Sequence, residues 1–226
     1  MKWLTAALLL IAAVLAALLF QRSAGAVSLG GTALDTPVKL PTTPLLSDRA
    51  RPTTLAASDG RMRLVFFGFV HCPDVCPATL ASLKNTYVKL SDEDKRRLQV
   101  QFVTVDPDTD TPQLVRAYLD KFDPAFTGLT GSSENIDAAA KAMFVGVIKP
   151  PPAAEDHSAH AAGTQAAQAT PQTSGVSATQ AAVVHGDQVS VINPAGEFVR
   201  VYNNQEVIEG TLERDLPQLL RDYSPS

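Results

Sequence analysis

A chain of 226 residues, 45% hydrophobic and 19% charged, can build one sizeable core plus tails and is short for two large domains. Its formal net charge of −4, with no run of Lys and Arg, argues against a nucleic-acid binder. Two cysteines, Cys72 and Cys76, are too few for a disulfide framework, which leaves a local bridge, a metal site, a reactive pair or two inert thiols.

After Met1-Lys2, the run WLTAALLLIAAVLAALLF from Trp3 to Phe20 is apolar except for Thr5. At about 1.5 Å per residue it nearly matches a hydrocarbon core of about 30 Å, so residues 1–22 read as an N-terminal transmembrane anchor. A cleaved signal segment is the rival reading, because Ala24-Gly25-Ala26 resembles a small-residue processing site. Both readings export the rest of the chain to the periplasmic or outer face of a cell membrane, where nearby thiols can oxidise. Residues 23–45 read as a linker and 46–226 as the folded domain, with an irregular or edge-strand lead-in up to about Arg61.

RLVFFGF, Arg63 to Phe69, is almost continuously apolar, as a central strand buried on both faces requires. Leu80, Leu83, Tyr87 and Leu90 repeat at helical spacing, and Ser91-Asp92 ends that helix or caps a further turn. LQVQFVTVD, Leu98 to Asp106, predicts the second strand. Thr111 is a good N-cap with Pro112 at the first helical position, and Leu114, Val115, Tyr118 and Leu119 make the helix's apolar stripe. FDPAFTGLTG reads as loop, SENIDAAAKAM as a short capped helix from Ser133, and FVGVIK as a short strand or extended segment.

Residues 150–182 are Ala, Gln, Ser, Thr, Pro and Gly with almost no large apolar side chain, the composition of a disordered insert. Two alternating runs, Val189 to Ile192 and Phe198 to Tyr202, flank the turn sequence Asn193-Pro194-Ala195-Gly196 and predict a hairpin. A closing helix follows from Thr211, with Leu212, Leu216, Leu219 and Leu220 on one face. Strands joined through helices run parallel, while the hairpin adds antiparallel strands. The expected fold is α/β and thioredoxin-like, a central mixed sheet flanked by helices, with the cysteine pair where the first central strand enters a helix.

A thiol at a helix start meets the positive end of the macrodipole and unpaired N–H groups, and both favour the thiolate. Two sulfurs rarely complete a metal site, so a third ligand is sought among four histidines. His71 adjoins Cys72 but leaves the strand in another direction, which suits a supporting role. His157 and His160 fall in the insert and read as solvated. His185 precedes the hairpin, in a loop that a thioredoxin-like fold lays against the cysteine-bearing helix start. Two thiolates and an imidazole would hold copper as Cu(I) or Cu(II), and zinc is also acceptable. Asp106 and Asp108, beyond the second strand, are candidates for supporting charge or simply for loop solvation.

FFGFVHCPDVCPATL, VTVDPDTDTP, FDPAFTGLTG and HGDQVSVINPAGEF, in this order, resemble successive blocks of the Sco/SenC family of copper-binding, thioredoxin-like proteins. The resemblance implies Cys72, Cys76 and His185 as copper ligands. It also implies a membrane-anchored protein that assists assembly of the copper site of cytochrome c oxidase by delivering metal, by reducing the partner's cysteines, or both. The implied partner is the oxidase's copper-site subunit or a similar cupredoxin-like protein. Two features depart from the family pattern: Val184 and Gly186 flank the histidine, with Asp187 displaced, and the segment before His185 is long. The expectation is a copper chaperone. The alternatives are a thiol–disulfide reductase that ends each turn as the Cys72–Cys76 disulfide, and a redox sensor.

Overall fold

The computed structural model describes residues 28–148 and 184–223, together with Val14. The chain divides after Gly30, and the architecture below belongs to the unit Gly31–Ser226. The apolar run Trp3–Phe20, apart from Val14, and the whole of the insert 150–182 lie outside the described residues. No described helix is long and apolar enough to cross a membrane.

Strand β4 (Met62–Gly68) is buried at every position, because it sits in mid-sheet with both faces covered. It pairs in parallel with β5 (Leu98–Thr104), which pairs in parallel with β6 (Thr127–Thr130). On its other side β4 meets β9 (Val189–Ile192) antiparallel, and β9 turns into β10 (Glu197–Tyr202). That turn uses Gly196 at φ 82°, a conformation that glycine adopts without penalty. The edges are β1 (Thr32–Lys39), antiparallel to β10, and the small pair β2 (Leu45–Ser47) and β3 (Pro52–Thr53) beyond β6. The mixed sheet therefore runs β1-β10-β9-β4-β5-β6-β2-β3.

Two of these strands fall where loop or linker is expected. The predicted loop FDPAFTGLTG contains β6. Its glycine is there for closeness, since a Cβ on Gly128 would stand 2.2 Å from Val115 Cγ1 of the helix packed above it. β1 lies within the stretch read as linker. It is mostly exposed, so it carries no apolar alternation, and its main-chain bonds to β10 hold it in place.

Helices α1 (Val75–Val88) and α3 (Pro112–Leu119) cover one face, where Phe66, Phe102 and Tyr118 pack ring to ring. Ser91 and Thr111 cap α2 (Asp92–Arg97) and α3 through their side chains, and Pro112 opens α3 as its position predicts. On the other face, Ile136, Ala139 and Ala140 of α4 (Ser133–Ala142) join Val65, Phe67, Val103, Leu129, Ile192 and Phe198 in the main core. The chain closes with α5 (Asn204–Ile208), started by an Asn203–Glu206 capping box, and α6 (Thr211–Asp222). The Thr79 hydroxyl bonds Asn204 at 2.7 Å, tying α1 to α5, and Lys89 reaches Glu213 at 2.7 Å, tying α1 to α6.

Candidate metal centre

β4 ends at Gly68 and the chain turns at once, the Cys72 amide donating to the Phe69 carbonyl at 3.2 Å. Helix α1 then starts at Val75 and carries Cys76 as its second residue. Asp74, at the N-cap, makes no side-chain bond to the helix, and the first turn holds no acidic residue. No capping carboxylate therefore competes for the N–H groups at this end. Cys76 is fully buried and Cys72 half-buried, and neither is in a disulfide. The Cys72 thiol lies within hydrogen-bonding reach of Cys76. A Cβ on Gly68 would stand 2.8 Å from Cys76 Sγ and 2.8 Å from the Phe102 ring, so only glycine lets the strand pass this close to the sulfur.

Burial pushes the Cys76 thiol well up, a hydrogen bond from the Phe69 backbone opposes this, and the neighbouring Cys72 and Asp110 add to it. The expectation that the helix start would favour the thiolate fails at Cys76, because desolvation outweighs the helix's partial charge. A metal arriving here must displace that proton.

Beneath the thiols the sheet edge is knotted by Asp110, which is fully buried. Its Oδ2 accepts from the Val70 amide at 2.9 Å and from the Thr104 hydroxyl at 2.6 Å, while Oδ1 has no hydrogen-bond partner. Burial holds this carboxyl above the usual range, and the Thr104 and Val70 bonds pull the other way. The Tyr118 hydroxyl is likewise buried without a partner, raised first by burial and then by the charges of Cys76, Cys72 and Asp110. Asp110 thus fastens the end of β5 to the residue two before Cys72, which fixes the turn that carries the thiol.

Sequence reasoning singled out Asp106 and Asp108 and passed over Asp110. Asp108 is exposed and accepts from the Ser133 hydroxyl at 3.2 Å. Asp106 is half-buried and works through its backbone, its carbonyl accepting from the Asp110 amide at 2.8 Å and its amide donating to Thr104 Oγ1 at 3.0 Å. Only position could have signalled Asp110: of the three acids it alone adjoins the Thr111 N-cap, where the chain folds back over the strand end. Tyr118, assigned to an apolar stripe, does pack there, but its hydroxyl reaches toward the thiols' field.

His71 is exposed beside Cys72. The backbone of His185 lies in β8 (Val184–His185), antiparallel to β7 (Val147–Ile148), with Val147 opposite His185 and the Gly186 amide donating to Gly146 at 3.0 Å. Its side chain lies outside what the structure describes, as do His157 and His160. Among the described residues no three His, Cys, Asp or Glu side chains converge as a metal site. Two adjacent soft sulfurs on a buried helix start nevertheless suit a soft ion such as Cu(I).

A thioredoxin-like sheet with a dithiol at its first central strand-to-helix junction defines a class of thiol- and metal-handling domains. Within that class the chain belongs to the SCO1/SenC family, whose sequence profile matches residues 43–221. It is 30% identical over 181 residues to a protein of Stutzerimonas stutzeri described as copper-binding, a match covering 80% of this chain and 76% of that one. It spans less than half the length of mitochondrial relatives. Among solved structures, apo Sco1 of Thermus thermophilus superposes with a TM-score of 0.63 at 30% identity, covering 86% of this chain and 99% of that one. ScoI of Arabidopsis thaliana with copper bound superposes with a TM-score of 0.56 at 26% identity, covering 81% and 98%.

Proposed function

We propose that this protein is a membrane-anchored, extracytoplasmic copper chaperone that assists assembly of the copper site of cytochrome c oxidase. Cys72 and Cys76 supply thiolates and His185 completes the set, holding Cu(I) or Cu(II). The observation that carries the reading is the thiol pair itself, one sulfur buried, one half-exposed, within reach of each other at a helix start. Copper in the Arabidopsis relative's structure supports the choice of metal. The partner is the oxidase's copper-site subunit or a similar cupredoxin-like protein. On this reading residues 1–22 would be the anchor, 23–45 the lead into the domain, and 150–182 an insert within it.

The test is anaerobic copper titration of the reduced protein. One copper should bind, and Cys76→Ser should abolish tight binding of both oxidation states. His185→Ala should weaken Cu(II) more than Cu(I), since two thiolates alone can still satisfy Cu(I). Equal loss of both ions on that substitution would contradict this division of roles, and unchanged binding would remove His185 from the site.

The unequal exposure of the thiols also favours a second reading, a thiol–disulfide reductase. Cys72 would attack a partner disulfide and Cys76 would displace the partner, leaving the Cys72–Cys76 disulfide and two thiols on the partner. Cys76→Ser would then trap a covalent complex. Little trapping, with transfer of copper to an already reduced partner, is the outcome expected of the chaperone.

A further inference from the structure

β7 and β8 are 2 residues long each, and Val147 and Ile148 face His185 and Val184. Residues 149–183 join them, a connection too long for its length alone to dictate register. A two-stranded ladder this short is marginal by itself. Among the described residues, the further bonds that place the His185 backbone come from its downstream side. There the chain runs through Gly186, Asp187 and Gln188 into β9, which is buried at every position.

Two hydrogen bonds tie that stretch to the end of α4. The Gly186 amide donates to the Gly146 carbonyl at 3.0 Å. The Gln188 side chain donates through Nε2 to the Met143 carbonyl at 2.9 Å. Nε2 also donates, more weakly, to Ser190 Oγ at 3.4 Å, and Ser190 is fully buried. Met143 is the C-cap of α4, where a helix leaves its last carbonyls without intrahelical partners. The Phe144 amide returns to Lys141 at 3.2 Å and the Val145 amide to Ala140 at 2.9 Å, with Phe144 at φ 56°. These are the paired bonds of a Schellman ending, and Val145 then enters the main core. Helix and core thus fix Met143–Gly146, and Gln188 fastens the His185 arm to that fixed point.

We propose that Gln188 is a positioning residue for His185: its bond to Met143 sets where the His185 backbone stands, and through it the affinity for Cu(II). The proposal rests on the reading of His185 as a copper ligand. Cu(II) needs the imidazole, whereas two thiolates satisfy Cu(I), so the effect is selective for oxidation state. The full-length protein is titrated anaerobically with each ion, using Gln188→Leu and Gln188→Glu, which nearly keep the size but cannot donate. Both substitutions should weaken Cu(II) about tenfold, as loss of a group that orients a ligand does, and leave Cu(I) affinity and stoichiometry unchanged. In the copper-free protein, amide exchange at Gly186 should quicken while the amides of β4 keep their rates. On the His185→Ala background, Gln188→Leu should cost no further Cu(II) affinity, because nothing is left to position. Equal losses of Cu(I) and Cu(II), or a further Cu(II) loss on that background, would make Gln188 a general support of the fold and overturn the proposal. So would full Cu(II) affinity in both Gln188 variants while His185→Ala weakens Cu(II). Unchanged Cu(II) binding in His185→Ala alone would instead remove the ligand, and the positioning role with it.

Discussion

At the ends of β4 and β5 nearest the thiols the sheet buries Asp110, and near the start of β4 it buries Arg63. Asp110 receives two short hydrogen bonds, at 2.6 and 2.9 Å, and joins a strand end to the cysteine turn. Arg63 makes one bond at 3.4 Å to a side chain of the neighbouring strand and fastens nothing. Burial penalises both charges, raising the pKa of the acid and lowering that of the base. A buried charge built into a hydrogen-bond network is a structural member, whereas one left with idle donors is a desolvation cost that the rest of the fold offsets.

That contrast predicts unequal costs of deletion. Asp110→Ala strands the Val70 amide and the Thr104 hydroxyl in a dry setting and should cost about 2–3 kcal/mol in urea unfolding. It should also weaken copper, because the turn before Cys72 loses its anchor. Arg63→Met, an apolar side chain of similar length, should change stability by less than about 1 kcal/mol, since it removes a desolvation cost along with a poor bond. Equal losses at the two positions would break the comparison.

Gly68→Ala sharpens the thiol end alone. Its Cβ would sit 2.8 Å from both Cys76 Sγ and the Phe102 ring, and both neighbours are fully buried. Overpacking of this kind costs about 1–2 kcal/mol. Copper affinity should fall with stability, because the displaced atom is the buried sulfur. Stability lost with copper affinity kept would show that the strand moves and the sulfur does not.

The sequence announced the thiol end better than the cationic end. Cys72 and Cys76 were legible because a paired residue type at fixed spacing, next to an unbroken apolar strand, has few bland explanations. β4, β5, α3 and the β9–β10 hairpin were legible for a related reason: their burial imposes a period, and Thr111-Pro112 and Asn193–Gly196 mark ends. β6 was hidden because Gly128 and two threonines suit a loop equally well until Val115 is seen above them. β1 was hidden because an exposed edge strand needs no apolar pattern. Asp110 looked like one of three loop acids, and only the fold reveals that its side chain turns inward. Arg63 was read only as the first residue of an almost continuously apolar strand. Nothing in RLVFFGF tells that its first residue is as buried as the core around it.

The smallest effect belongs to the matched pair at the cationic end. Arg61 holds Asp59 at 2.6 Å, and this hydrogen bond keeps the Asp59 carboxyl below its ordinary value of 3.8, with burial opposing. A depressed carboxyl contributes stability above its unfolded-state pKa and loses it as pH falls through the folded value. Both side chains are substantially exposed, so the pair is screened by water and salt and the contribution is small. Wild type should be slightly more stable than Arg61→Gln at pH 6, and the gap should begin to close once pH falls below about 4, as Asp59 titrates. Raising the salt to about 0.5 M should shrink the gap at pH 6 as well. A gap that widened in acid would mean that Arg61 is held by something other than Asp59.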